Sequence, residues 1–419
     1  MPDSYRAPRG VSDILPADQP YWRWLRETAV RVAESYGYGE IETPVFERAG
    51  VFLRQEAHGT DLVDKEMYVF QDRGGEDLAL RPEGTAAVCR AYLEHGMGSW
   101  PQPVRLYYVA PMFRYDRPQA GRYRLFNHFG IEVIGDGEPA VDAEVLDLIT
   151  TYLDALGLSG YTLLLNSIGD PVCRPAYIEK LRAYYADKLD SLCGDCRRRY
   201  DVNPLRLLDC KNEPCQPFKA EAPKISDNLC DACAAHFATL RQLLDELGIG
   251  YTLNPLLVRG LDYYTRTTFE FEPAEEGSQS VICGGGRYDG LMEQLGGRAT
   301  PGIGFGAGLE RIMLNLRRQD LAPEPQSSPD AFLAVADAAA QGRAMTLARE
   351  LRRGGATVIA GAAGRSMKSQ MRQANALGAR FALVLGEREL ADGSVSVRDL
   401  ATQTQESLPA GDVLRRIKG

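Results

Sequence analysis

The sequence predicts an α+β architecture in three parts: an antiparallel sheet with helices against it, a mainly helical insertion that interrupts it, and a compact α/β module at the C-terminus. Three observations lead there. Strand-like segments that alternate apolar and polar residues cluster before residue 170 and after residue 250, without the strand-helix-strand repetition that builds a parallel sheet. Six of the nine cysteines fall between Cys193 and Cys233, where Arg, Tyr and Leu segments replace the strand pattern. Beyond Ala322–Pro329 (APEPQSSP), a linker by composition, strands and helices alternate to the end. The expected boundaries are 1–169 and 251–321 for the sheet body, 170–250 for the insertion, 322–329 for the linker and 330–419 for the final module.

Composition narrows the function classes. At 419 residues, 44% hydrophobic and 25% charged, the chain is an ordinary globular protein too long for one core. It contains no apolar run of membrane-spanning length and its first residues lack a signal-peptide core, so the expectation is a cytoplasmic protein with no membrane partner. A net charge of -9 argues against a protein that coats nucleic acid. From Ser328 onward, however, 13 Lys and Arg stand against 9 Asp and Glu, so the last module suits an anionic partner or, equally on charge alone, a solvated surface.

Taken in order, Pro16–Ser35 places Trp24, Leu25, Ala29, Val32 and Ala33 at helical spacing, and Gly37 ends it. Ile41–Phe46 reads as one short strand that Pro44 confines to an edge, where another subunit could dock or loops could cover it. Lys65–Phe70 and Leu78–Arg81 flank a turn at Asp72–Gly75, and Glu83 then sits at the start of a helix over Ala86–His95, a position where a carboxylate ordinarily serves as a cap. Leu106–Val109 and Phe129, Ile131 and Val133 form a second hairpin. Its connection crowds Arg114, Arg117, Arg122 and Arg124, as a phosphate clamp or as a solvated basic turn.

A helix over Ala140–Leu156, capped by Gly157, and a buried strand over Tyr161–Ile168 complete the first half of the body. Strands resume at Tyr251–Glu272, and Ser280–Cys283 enters Gly284–Gly286. Gly302, Gly304, Gly306 and Gly308 alternate, which leaves one sheet face bare where a flat ligand could lie, ahead of a helix carrying Arg311. In the final module, strands Ala331–Val335, Thr357–Ile359 and Phe381–Leu385 alternate with a helix to Arg353 and one over Lys368–Leu377.

No GxGxxG opens a helix and no Walker lysine follows a glycine loop, so neither dinucleotide nor P-loop binding is supported. Arg114, Arg122, Arg259 and Arg311 beside Glu83, Glu132 and Tyr264 make a conceivable active site, with cations for a triphosphate and carboxylates for a small cationic substrate. The cysteines are separate chemistry. Cys193-x-x-Cys196 and Cys230-x-x-Cys233, with Cys210 and Cys215 between, suggest two knuckles around one tetrahedral structural zinc; buried free thiols are the plain alternative.

The order of these blocks carries a resemblance. FRYDRPQAGRYRLFNHFGIE resembles motif two of class II aminoacyl-tRNA synthetases, and GIGFGAGLERIML at Gly302–Leu314 resembles motif three. LVRGLDYYT at Leu257–Thr265 and GGGRYDGL at Gly284–Leu291 are similar to two signatures of the histidyl-tRNA synthetase family, and GRSMKSQMRQANALGA at Gly364–Ala379 is similar to its anticodon-binding domain. The resemblance implies a class II catalytic domain that activates L-histidine with ATP and Mg2+, charges tRNA(His) and works as a homodimer joined through Trp24–Phe46. It further implies Arg114 and Arg259 at the α-phosphate, Arg122 and Arg311 on the outer phosphates and Phe126 on adenine. Glu83 and Thr85 would take the substrate's amino group, with Glu132, Tyr263, Tyr264, Tyr288 and Arg259 around histidine; Arg117 and Gln119 would face the tRNA acceptor end.

His128 departs from the family, which usually has glutamine there, and with an ordinary imidazole it would make histidine binding sensitive to pH near 6.5. The rival reading is a histidine-binding regulatory paralogue that partners a phosphoribosyltransferase without aminoacylating. Arg259, Arg311 and the tail block weigh against it, and a general nucleic-acid binder stands third.

Overall fold

The computed structural model describes residues 5–53, 62–273, 281–323 and 328–419, in two compact units spanning 1–323 and 324–419. Met1–Ser4, Ser280 and residues 324–327 of the expected linker lie outside the described residues. The first unit begins with α1 (Gln19–Ser35), β1 (Gly39–Glu40), β2 (Phe46–Arg48), β3 (Tyr68–Gln71), β4 (Asp77–Leu80), α2 (Thr85–Glu94), β5 (Val104–Phe113), β6 (Leu125–Ile134) and α3 (Pro139–Ala155). It continues with β7 (Thr162–Ser167), α4 (Arg174–Tyr185), α5 (Gly194–Val202), α6 (Asp231–Leu247), β8 (Thr252–Leu253), β9 (Thr265–Glu272), β10 (Cys283–Arg287), α7 (Leu291–Gln294), β11 (Gly302–Gly308) and α8 (Leu309–Arg318).

Eight strands form one sheet in the order β1-β5-β6-β11-β10-β9-β7-β8. The six central strands pair antiparallel, and the two-residue edges β1 and β8 pair in parallel with their neighbours. Alternation along β6 divides the labour between the faces. Phe129, Ile131 and Val133 join Leu25, Leu146, Ile149 and Leu153 from α1 and α3 in the main core, while Phe126, His128 and Glu132 stand on the other face. The second face of β5 follows in register, with Leu106 opposite Glu132, Tyr108 opposite Gly130 and Ala110 opposite His128.

Two sequence expectations need correction here. No strand covers Ile41–Val45: β1 ends just before it and extends the large sheet, whereas β2 begins at Phe46 and joins the three-stranded sheet β2-β4-β3. Pro44, with no N–H to give a ladder, falls in the gap between them. The end of the helical segment 170–250 is also not separate from the body. α6 packs on α3 and places Leu240 and Leu244, one turn apart, in the main core.

The second unit runs β12 (Ala331–Val335), α9 (Gln341–Arg353), β13 (Val358–Ala360), α10 (Met367–Ala376), β14 (Phe381–Leu385), α11 (Glu387–Asp392), β15 (Ser394–Asp399), β16 (Gln405–Pro409) and α12 (Val413–Lys418). Its sheet order is β13-β12-β14-β15-β16, parallel across the first three strands and antiparallel across the last two. The antiparallel pair adds to the expected parallel core. Gln370 on α10 is fully buried and holds Val335 at both ends of its peptide, accepting from its N–H (2.9 Å) and donating to its carbonyl (2.8 Å).

Candidate active site

The second face of the large sheet opens into a cleft of about 1020 Å³, counting the part open to solvent. Arg114, Arg122, Arg259 and Arg311 all line it, as do Glu83, Thr85, Tyr108, Phe126, His128, Tyr263 and Tyr264. Four cations from three separate stretches of sequence thus meet at one place.

Glu132 and Tyr288 lie one layer below this lining. Glu132 is fully buried and accepts hydrogen bonds from the hydroxyls of Thr85 (2.7 Å), Tyr108 (3.3 Å) and Tyr288 (2.6 Å). Burial pushes its carboxyl up to about 8, Glu83 adds to the rise, and the hydroxyl donors only partly offset it. Tyr288 is aimed by its neighbour: Arg287, also fully buried, pairs with Asp142 at 2.7 Å and donates to the carbonyls of Asp136 and Glu138.

The row of alternating glycines explains how so large a carboxylate fits. Tyr288, Glu132 and His128 lie against Gly302, Gly304 and Gly306 in turn, so the face expected to be bare for a flat ligand is largely filled by the protein's own side chains. At Gly304 a Cβ would come within 2.1 Å of Glu132 Oε2 and 2.3 Å of the Ile131 carbonyl. At Gly284 it would meet the Arg259 guanidinium at 2.4 Å. At Gly304 the backbone carbonyl cannot yield, whereas at Gly284 the Arg259 guanidinium would have to move.

Glu83 caps the start of α2, as its position in the sequence suggests. Its carboxylate accepts from the backbone N–H groups of Thr85 (2.6 Å) and Ala86 (2.9 Å) at the start of α2, and the Tyr263 hydroxyl reaches it at 3.4 Å. The same carboxylate lines the cleft, so capping and ligand binding share one group. Arg259 pairs with Glu270 and lies over the Tyr264 ring at 5.9 Å. Burial opposes its charge, but Glu270 outweighs that and holds it firmly protonated. Its buried Nε has no acceptor among the described residues, which leaves a donor for a ligand.

The remaining arginines are held less tightly. Arg114 donates to the Pro82 carbonyl at 2.9 Å and lies over the Phe126 ring at 5.3 Å, while Arg122 pairs with Asp116 at 3.0 Å and is 38% exposed. Arg311 donates to the carbonyls of Gly121 and Val281, both at 2.9 Å. Burial, and after it the nearby charges of Arg114, Arg122 and Arg259, lowers its guanidinium to about 10, the sign of an excess of positive charge. Arg117 and Gln119 are exposed in the β5–β6 connection.

His128 faces the cleft. Its ring packs edge-on against Phe126 at 5.0 Å, and burial followed by Arg114, Arg311 and Arg259 holds its imidazole well below the ordinary histidine range. Burial first, and the three guanidiniums after it, keep this ring neutral, against the expected pH sensitivity near 6.5.

Sequence reasoning passed over two groups. Tyr108 on β5 is one of the three donors to Glu132, and only the register of the hairpin brings it there. Glu310 lines the cleft next to Arg311 and accepts from the backbone N–H (2.9 Å) and side chain (3.0 Å) of Asn127. Its place in the GLER string was the available signal. It is an oxygen donor of the kind Mg2+ takes, at the cationic end of the cleft where phosphates would sit.

The cysteine expectation is corrected in its grouping. Cys193 and Cys196 converge with Cys210 and Cys215, whereas Cys230 and Cys233 converge with Cys173 and Asp170. The reason lies in the chain path. Residues 204–218 fold back on the start of α5, while Cys230 and Cys233 open α6, which the main core draws toward the start of α4.

Comparison with known proteins agrees with this geometry. The family model for histidyl-tRNA synthetase matches residues 10–312, and that for an anticodon-binding domain matches residues 330–419. The histidine–tRNA ligase of Dehalococcoides mccartyi is 51% identical over 414 residues, 99% of each chain. The crystal structure of apo S. aureus histidyl-tRNA synthetase superposes with a TM-score of 0.83 at 37% identity, covering 99% of this chain and 100% of that one. A Bacillus halodurans structure titled as an ATP phosphoribosyltransferase regulatory subunit/histidyl-tRNA synthetase shares the fold, with a TM-score of 0.65 at 22% identity over 90% of this chain and 97% of that one. The antiparallel sheet with its arginine-lined cleft is the catalytic domain of a class II aminoacyl-tRNA synthetase. Within that class, the chain belongs to the histidyl-tRNA synthetase family.

Proposed function

We propose that this chain activates L-histidine with ATP to give histidyl-adenylate and pyrophosphate, then passes the histidyl group to the 3′ end of tRNA(His). The observation that carries the reading is the junction of a buried, hydroxyl-held carboxylate, Glu132, with a cleft lined by four arginines. The substrate's own carboxylate attacks the α-phosphorus, so no protein nucleophile is needed and catalysis rests on position and charge. Arg114 and Arg259 take the charge that grows on the α-phosphate, Arg122 and Arg311 hold the outer phosphates, and Phe126 stacks on adenine.

The imidazole of the substrate displaces one of the hydroxyls on Glu132, with Tyr263, Tyr264 and Tyr288 closing around it, and Glu83 and Thr85 receive the amino group. His128, held neutral, offers one ring nitrogen as an acceptor toward that group. The Glu310 carboxylate, which lines the cleft, would hold Mg2+, and the ion would supply positive charge against the ATP phosphates. Arg117 and Gln119 meet the tRNA acceptor end, and the second unit reads the anticodon. Exposed Val45, Phe46, Val69 and Phe70 fit a homodimer contact at the small sheet, with the family's motif-one segment Trp24–Phe46 beside it. The place of action is the cytoplasm; no helix among the described residues is long and apolar enough to cross a membrane.

Pyrophosphate exchange measured with each amino acid in turn tests the reading. Histidine alone is expected to support exchange, followed by charging of tRNA(His). Histidine binding without exchange would place the chain with the regulatory paralogues instead.

A further inference from the structure

We propose that Cys193, Cys196, Cys210 and Cys215 hold one structural zinc ion that fixes the 204–215 loop against the active-site segment. All four sulfurs lie within 4.8 Å of one another, three of the residues are buried, and all four are free thiols. The Cys193 and Cys210 sulfurs stand 3.8 Å apart. That is far beyond a disulfide and equals the edge of a tetrahedron built on Zn–S bonds of about 2.3 Å, which is about 3.8 Å. The Cys193 backbone N–H also points at Cys215 Sγ at 3.3 Å, a bond that stabilises the thiolate form a metal needs. Binding converts four thiols to thiolates and releases their protons to solvent, with no redox change.

The second cluster differs in what already satisfies it. The Asp170 carboxylate accepts from the backbone N–H groups of Val172 (3.0 Å) and Cys173 (3.2 Å), and Arg266 lies 3.6 Å from its other oxygen. Its donors are engaged within the protein, whereas the four-thiol set offers only soft ligands turned toward a common centre. The loop that supplies Cys210 also carries Arg206, which is buried, pairs with Asp209 at 2.9 Å and would stand 3.6 Å from a Cβ at Gly260, the neighbour of Arg259.

Zinc analysis of the full chain purified without chelator is expected to find the metal, and Cys210→Ser is expected to lose it while Cys230→Ser keeps it. Less than about 0.2 zinc per chain in the unmodified protein, or zinc unchanged in Cys210→Ser, would overturn the site. Should Cys210→Ser fail to fold, cobalt-substituted unmodified protein decides the matter: the visible bands of tetrahedral four-thiolate cobalt support the assignment, and an octahedral or oxygen-rich spectrum removes it.

Discussion

The two ends of the cleft are built on opposite principles. At the floor, Glu132 is fully buried and bound by three hydroxyls, and Glu83 is fixed by two backbone N–H groups. At the mouth, Arg114, Arg122 and Arg311 rest on backbone carbonyls and on Asp116, and among the described residues only Arg122 has a carboxylate partner. Discrimination between amino acids demands buried groups that an incorrect substrate leaves unpaired, so the floor is preorganised. Under the proposed function, binding of a triphosphate demands surplus charge that a ligand can claim, and the weakly held guanidiniums would provide it.

Three substitutions bear on that contrast. Glu132→Ala is expected to lower histidine-dependent pyrophosphate exchange by at least about a hundredfold, or roughly 2.7 kcal/mol; exchange close to normal would show that the floor does not select the substrate. Arg311→Ala is expected to raise the KM for ATP by about tenfold, the cost of one charge-assisted contact of roughly 1.4 kcal/mol, and to leave the KM for histidine nearly unchanged. An equal change in both would mean that the two ends are not independent.

The smallest effect concerns stability and pH. Glu132 titrates near 8 when folded and near 4.5 as a free side chain, so the folded state binds more protons between those values. Its contribution is whole below about 4.5 and is lost as pH rises toward 8. Glu132→Gln, which cannot ionise, is therefore expected to flatten the fall in Tm across pH 5 to 8 by a few degrees. An unchanged slope would mean that Glu132 is already ionised in the folded protein.

Legibility in the sequence followed the range of the interactions. The hairpin, the helix starts and the parallel strands of the second unit depend on spacing within a few residues, and they fell where the pattern placed them. Which cysteines meet depends on a chain reversal at 204–218 and on a helix drawn into a distant core, and no local spacing encodes either. Tyr108 is a case of the same kind, since its role exists only through pairing with β6. His128 shows a different limit: the residue type was readable, but its protonation is set first by burial and then by Arg114, Arg311 and Arg259, two of which lie far along the chain.

Gly304 touches no proposed ligand, yet a Cβ there would lie 2.1 Å from the Glu132 carboxylate and 2.3 Å from a backbone carbonyl. In a survey of variants it would score as intolerant as a residue that meets substrate. A scan for essential positions would then mark the shape of the floor as well as its chemistry, and substitutions at Gly304 belong with those that distort the pocket, not with those that remove a contact.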